Sequence, residues 1–562
     1  MSHLDWIVLF ATQLYIIGYG AYRSRGAKKD MKSYLLANNQ LSWLTIGISV
    51  MATQASAITF LSIPGQAFYD GMGFVQIYFG LPLATVVLCL TVVPIYKKLG
   101  VYTAYEYLEQ RFDLKTRALG AVLFLVQRGL STGITIYAPS LVLSTVLHWD
   151  INWTIIITGT IVTIYTVLGG TKTVSYTQMQ QTAIIWIGMF TATYILISHL
   201  PDNLSVTDVA AVAQEMGKME WVNFSLDPAN RYTIWSGLLG GFFLSLSYFG
   251  TDQSQVQRYL GGETLKESRM GLIMNGIIKI PMQFFILFIG ILLFVFYQFA
   301  QPKLFFNQNE VDAVYQSSYQ TEYRLLEQKF EATVKAKKEK IVAYQQATGE
   351  LEKAQIGKQL NTLEQESKEL RKKAITIIKA NHPKADAKDS DYVFISFIMN
   401  YLPMGLIGLL VSVMISASMS STASAFNALA STSIVDVYKR LIQPAATEEH
   451  YVKASKFFTI FWGVICIFFA IFVSRLDNMV QAVNILGSLF YGTVLGIFLV
   501  AFYIKHIRGN AVFWAAVVSE AIILASFYFL GDKIAYLWYN LIGCVLVMLL
   551  AWLFETLYPK ET

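Results

Sequence analysis

Long apolar runs dominate the chain. About thirteen of them reach the roughly 20 residues that a helix needs to cross a bilayer core about 30 Å thick. They lie near 4–22, 41–67, 73–96, 117–147, 152–170, 174–198, 233–260, 270–299, 401–430, 455–474, 480–504, 510–530 and 535–555. The pattern predicts an all-α, multi-pass membrane protein. Residues 301–390, rich in Lys, Glu and Gln, separate the eighth run from the ninth. There Ile356, Leu360, Leu363, Ser367, Leu370, Ala374 and Ile377 alternate steps of four and three, the seam of a coiled coil. A weaker seam passes through Tyr323, Leu326, Phe330, Ile341 and Tyr344, with Lys337 interrupting it, and Gly349 separates the two. An antiparallel helical hairpin projecting from the outer face is expected. The chain thus divides into a transmembrane region over 1–300, the hairpin insertion over 301–390 and a second transmembrane region over 391–562. The hairpin reads either as a docking arm for a protein partner or as a solvated insertion with no role in the membrane part.

Two apolar runs turn polar and small part-way along, which a spanning helix need not do. The second carries Ser49-Val50-Met51-Ala52-Thr53-Gln54-Ala55-Ser56, with Thr59 a turn later. The seventh carries Ser245-Leu246-Ser247-Tyr248-Phe249-Gly250-Thr251-Asp252-Gln253, preceded by Gly237, Gly240 and Gly241. Either one alone would pass as small-residue helix packing. Their separation by five spans is what two inverted five-helix repeats would produce, each opening with a discontinuous helix. In the ninth run Ser416, Ser420 and Ser424 are spaced four apart, which puts several oxygens on one helical face. Hard cations take oxygen ligands, although serines also bond back to their own helix.

Composition agrees with the membrane reading. Of 562 residues 55% are hydrophobic and 14% charged, whereas an ordinary soluble protein carries roughly a quarter charged; mean hydropathy is +0.47. The net charge of +6 does not point to nucleic acid, because the basic residues gather in alternate short loops. Arg23, Arg25, Lys28, Lys29 and Lys32 follow the first run, and Lys97, Lys98, Arg111, Lys115 and Arg117 the third. Lys172 follows the fifth, Arg258, Lys266 and Arg269 the seventh, Lys439, Arg440, Lys453 and Lys456 the ninth, and Lys505 and Arg508 the eleventh. Arg475 and Lys533 are isolated exceptions. Basic loops stay cytoplasmic, so an inner-membrane protein with its N-terminus outside and its C-terminus inside is expected. The first run lacks a basic leader and is followed by basic residues, so it reads as a retained helix. Cys89, Cys466 and Cys544 sit in apolar runs without metal-ligand spacing and read as buried hydrophobes. With no His cluster, metal spacing or paired carboxylates in the runs, an enzyme is not expected. The short tail after Leu557 argues against a sensor carrying a signalling domain.

Several blocks in order complete the reading: Ala52 to Pro64; Ala104-Tyr105-Glu106-Tyr107-Leu108-Glu109 with Arg111-Phe112; Gly169-Gly170; Thr251-Asp252-Gln253 with Val256-Gln257-Arg258; Lys279 with Pro281; and Ser420-Ser421 with Asn427 and Asp436. Through them the chain resembles the sodium/solute symporter family over nearly its whole length except 301–390. The resemblance implies the inverted-repeat fold of the bacterial leucine transporter, with one helix before the ten-helix core and two after it. It also implies a sodium-coupled symporter importing a small polar organic solute such as a sugar, a sugar acid or a carboxylate.

By family position the sodium ligands are the backbone carbonyls of Ala52, Ala55 and Ala417 and the hydroxyls of Ser420 and Ser421. Members with two sodium ions add an Asp in the sixth span; here the pair reads Thr177-Gln178, and one hydroxyl position is Ala423, although Ser424 remains. One sodium per cycle is therefore expected. The solute pocket implied by the resemblance takes Gln54, Ser56, Thr59, Phe74, Tyr78, Ser131, Ser245, Tyr248 and Asn484. Aromatics such as Phe74 and Tyr248 would be gates, or simply helix packing. Charges inside spans are costly and default to functional candidates. Arg128 would meet a solute carboxylate or form a structural ion pair. Lys279 and Asp252, near the expected cytoplasmic ends, would snorkel or cap.

Overall fold

Local signals account for where the helices start, bend and stop. The computed structural model describes residues 1–24, 31–202, 204–301, 303–383, 389–473 and 479–557; Arg25, Lys28, Lys29 and Arg475, used above to orient the chain, lie outside them. α1 (His3–Ser24) precedes α2 (Trp43–Gln54), whose cap is Ser42: its Oγ accepts from the Thr45 amide at 3.4 Å. α3 (Ala57–Asp70) continues α2 after an interruption at Ala55 and Ser56. α4 (Leu114–Leu147) starts at Asp113, which accepts from the Thr116 amide at 2.9 Å. α5 (Ile151–Ser198) turns at Gly170, where φ is 60°, dividing it into the two expected spans. Only glycine takes that backbone without strain, and the Tyr34 ring fills the space a side chain would need.

The second interruption separates α6 (Gly241–Gly250) from α7 (Gln253–Leu260), and α8 (Leu265–Phe299) follows. Beyond the insertion come α11 (Ser390–Tyr401), α12 (Leu406–Thr432) and α13 (Met479–Tyr503). Nine helices among the described residues are long and apolar enough to cross a membrane. The other expected spans fall on α1 and on segments that the breaks shorten, including Ile151–Val167 and Ser236–Gly250.

α12 is the central pillar. From Leu410 to Thr432 every residue but Ile415 is buried, and the helix packs against α1, α2, α3, α4, α5 and α7. The outermost helices show the opposite pattern. On Glu448–Val473 the exposed Phe457, Phe461, Val464, Phe468 and Phe472 form one stripe, a face that suits lipid rather than water. Close backbone contact sets one crossing near the insertion: a Cβ on Gly65 of α3 would stand 1.8 Å from the Ser390 carbonyl oxygen at the start of α11. Gly65→Ala should therefore cost about 1–3 kcal/mol of stability, as overpacking does. A thermal midpoint equal to that of the unaltered protein would show that the crossing yields without cost.

The insertion forms the expected hairpin, α9 (Gln320–Gln346) against α10 (Glu350–Asn381). Leu360, Ser367, Leu370, Ala374 and Ile377 are all buried along its seam. Rather than only projecting, it lies over the helix Val206–Glu215 and the end of α8. Lys337 does not interrupt its seam: it is 2% exposed and its Nζ stands 3.2 Å from Glu364 Oε2.

Candidate functional site

The first interruption frees two carbonyl oxygens. In a continuous helix the Ser56 amide would bond Ala52 and the Thr59 amide Ala55. Instead Ser56 donates to the Gln54 carbonyl at 3.1 Å and Thr59 to the Ser56 carbonyl at 2.9 Å. Ala55 holds φ −85° and ψ 81°, outside the helix well. Facing these oxygens is α12, where Ser420 Oγ donates to the Ala52 carbonyl at 3.3 Å. One residue on, Ser421 Oγ donates to the Ala417 carbonyl at 3.1 Å and the Ser418 carbonyl at 3.2 Å. Both serines are buried. The donor set is all oxygen and uncharged, which fits a hard monovalent cation.

A cavity of about 130 Å³ opens beside this cluster, with Ser421 on its wall. Gln54, Ser56, Thr59, Tyr78, Ser245, Tyr248, Asn484 and Arg128 line it. Gln54 Oε1 is buried without a hydrogen-bond partner, so an acceptor there is open to a solute donor.

At the second interruption Asp252 caps α7, its Oδ1 accepting from the Ser254 amide at 2.9 Å. Its Oδ2 takes an ion pair from Arg128 Nη2 and a hydrogen bond from Tyr491 Oη at 2.8 Å. α4, α7 and α13 therefore meet at one charge pair. The carbonyls beside the break find tyrosines: Tyr96 Oη donates to Gly250 at 2.9 Å and Tyr105 Oη to Thr251 at 2.8 Å. Buried backbone acceptors are rarely left alone.

A model of the sodium:solute symporter family matches residues 34–328 and 369–519. The chain belongs to that family. The stretch between the two matched parts, 329–368, falls inside the hairpin.

Among curated relatives, the human sodium/iodide cotransporter is 32% identical over 301 residues, 53% of this chain and 46% of that one. The sodium-dependent multivitamin transporter of Oryctolagus cuniculus is 26% identical over 505 residues, 88% of this chain and 66% of that one. The human sodium-coupled monocarboxylate transporter 1 is 32% identical over 271 residues, 48% of this chain and 44% of that one. The chain thus spans about half the length of two of these relatives. A solved structure of a sodium-coupled sialic acid symporter superposes with a TM-score of 0.76 at 21% identity, covering 100% of both chains. That likeness shows the fold, the inverted-repeat architecture expected above.

Other features of this family member were not legible in advance. Phe74 does not line the cavity; it is buried against Tyr78 and Tyr232, with ring centroids 6.1 and 5.3 Å away. Ser131 is also off the wall, its Oγ donating to the Gln127 carbonyl at 3.0 Å. The face of α4 that does line the cavity carries Arg128, Thr132 and Thr135. Those positions follow the i, i+4, i+7 helical period, so Arg128 itself was the signal that could have found the other two.

Lys279 does not snorkel. It is fully buried, its Nζ has no hydrogen-bond partner, and it stands 5.5 Å from the centre of the Tyr78 ring.

Gln178 stands at the position where the resemblance implies an Asp in two-sodium members. Its Nε2 donates to Thr53 Oγ1 at 3.2 Å, Ser424 Oγ at 2.8 Å and the Ser420 carbonyl at 3.1 Å. An amide thus gathers α2, α5 and α12 around itself with its own donors. Nearby, the buried Arg258 donates to Ser175 Oγ at 3.3 Å, and Ser175 in turn accepts from Ser49 Oγ at 3.4 Å. No carboxylate pairs with Arg258 among the described residues.

Proposed function

We propose that the chain couples the inward movement of sodium to import of a small polar organic solute by alternating access. The observation that carries this reading is the bridge from Ser420 to the freed carbonyl of Ala52, next to a solute-sized cavity whose wall includes Ser421. Sodium held by Ala52, Ala55, Ala417, Ser420 and Ser421 ties α2 to α12. That link completes the cavity, and solute binding then favours closure and inward opening. Each sodium entering gains about 2.3 kcal/mol per 100 mV of membrane potential, plus its concentration gradient.

The solute is a sugar, a sugar acid or a carboxylate. Hydroxyls of Ser56, Thr59 and Ser245 offer both donors and acceptors, those of Thr132 and Thr135, which donate to carbonyls of their own helix, offer acceptors, and Arg128 carries an Nε without a partner among the described residues. A relative named for monocarboxylates supports an acidic solute. The orientation is N-terminus outside and C-terminus in the cytoplasm of an inner membrane, on the alternation of basic loops. The hairpin is then extracytoplasmic, and its seam is used within the chain rather than for a partner.

Uptake into proteoliposomes, run against a panel of labelled solutes, tests the reading. One solute should accumulate above its external concentration only under an inward sodium gradient. Equal accumulation from sodium-free buffer would transfer the reading to a different coupling ion, and binding without accumulation would favour a sensor.

One sodium per cycle follows from Gln178 and Arg258. The amide already satisfies the oxygens that a second cation would use, and a buried guanidinium beside them repels a cation. Initial uptake should rise hyperbolically with sodium. A sigmoid rise would mean that a second ion binds.

A further inference from the structure

A second, smaller cavity of about 30 Å³ lies apart from the solute cavity, where the hairpin meets the membrane core. Its wall is basic. Lys218, Lys303, Lys337, Lys368 and Arg371 line it, and Glu364 is its only carboxylate among the described residues. Lys218 belongs to the loop after Val206–Glu215, Lys337 to α9 and Glu364 to α10.

The three innermost groups are almost wholly enclosed: the lysine side chains are 2% exposed and that of Glu364 5%. Lys218 Nζ stands 3.2 Å from Glu364 Oε1, and Lys337 Nζ 3.2 Å from Oε2. One carboxylate thus serves two ammonium groups. A positive charge is left over in a place from which water is largely excluded, and an unbalanced buried charge is costly.

The donors are not all spent either. Lys218 gives one N–H to Glu364 and one to the Tyr69 carbonyl at 2.6 Å; its ammonium also stands 4.6 Å from the centre of the Phe294 ring, but its third N–H has no hydrogen-bond acceptor among the described residues. Lys337 gives one to Glu364 and keeps two. Ser367 Oγ, also on the wall and 3% exposed, has no hydrogen-bond partner. Of the other basic groups on the wall, Arg371 donates to Tyr69 Oη and to the carbonyls of Lys303 and Leu304, and Lys303 donates to Ser396 Oγ at 2.8 Å. Asp389, which accepts from Tyr69 Oη at 2.6 Å, does not line the cavity.

We propose that this cavity binds a single monatomic anion, chloride in ordinary surroundings, held by the ammonium groups of Lys218 and Lys337 and the hydroxyl of Ser367. About 10–15 Å³ of such space already admits a water, so a cavity of about 30 Å³ has room for a chloride ion. The anion balances the surplus charge and takes the unused donors. Burial holds both lysines below their ordinary range against the attraction of Glu364, while Glu364 stays low against burial because the two lysines flank it. A bound anion favours keeping both lysines charged. Because Lys218 also holds the Tyr69 carbonyl, at the end of α3, the anion joins the hairpin to the helix that leads from the first interruption.

Bromide is the probe, since it scatters anomalously and water does not. Crystals of the full-length protein soaked in sodium bromide should show an anomalous peak among Lys218, Lys337 and Ser367. In detergent, replacing sodium gluconate by sodium bromide at constant ionic strength should raise the thermal midpoint. Ser367→Ala, a mild change at a serine with no partner, should require roughly tenfold more bromide for the same rise. A cavity without the peak, or a midpoint equal in bromide and gluconate, overturns the proposal: water or a deprotonated lysine then fills the role. Neither readout depends on transport, so the sodium reading stands or falls separately.

Discussion

Ser421→Ala is expected to abolish sodium stimulation of uptake while leaving the protein folded. The fold should survive because Ser421 Oγ bonds only to carbonyls of its own helix, Ala417 and Ser418, and such back-bonding adds little to helix stability. The ion should not survive the change. The next residue on that face, Ala425, is apolar, and the hydroxyls of Thr53 and Ser424 are committed to Gln178. None of these three neighbours replaces the missing oxygen. A loss of about 3 kcal/mol would weaken sodium binding more than a hundredfold, enough to move half-saturation beyond ordinary sodium concentrations. Uptake measured across a sodium series, beside a thermal midpoint on the same preparation, separates the two effects. An unchanged half-saturating sodium concentration would rule out Ser421 as a ligand.

The second large effect is expected at the charge pair below the cavity wall. Asp252→Asn keeps a residue that caps α7 well but removes the negative charge facing Arg128. A guanidinium is then stranded in a buried position, and breaking such a pair from one side costs about 3–5 kcal/mol. Uptake should fall to background and the midpoint should drop. Removing the stranded charge as well, in Arg128→Met with Asp252→Asn, should restore much of the stability, because paired neutral replacements avoid the buried charge. Transport need not return, since Arg128 also lines the solute cavity. If the double variant is no more stable than Asp252→Asn alone, then the pair is not what holds α4, α7 and α13 together.

Both predictions rest on features of different visibility. The segments holding Ala52, Ala55, Ser420 and Ser421 stood out in advance because a polar, small-residue patch in an apolar run is itself anomalous in a membrane helix, whereas the choice of these residues as ligands came from the family resemblance. The pairing of Arg128 with Asp252 did not stand out. The two lie 124 positions apart, and each had a plausible local explanation. The same holds for Phe74 and Ser131, assigned to the cavity by family position. A rotation of one residue on a helix moves a side chain by about 100°, and that turn hides Ser131 and presents Thr132.

What the chain's linear order determined was set by short-range physics. Apolar runs of bilayer length, a heptad seam around Gly349, basic loops in alternation and two broken spans at matching places were readable because each depends on residues close in sequence. Tertiary structure alone decided the partners of the charges. Among the described residues it enclosed Lys279 without a hydrogen bond, left Arg258 without a carboxylate, and gathered Lys218, Lys337 and Glu364 from three separate elements around a cavity. The reason is that the energy of a buried charge depends on everything within a few ångströms of it in space, and the sequence orders residues along one dimension only.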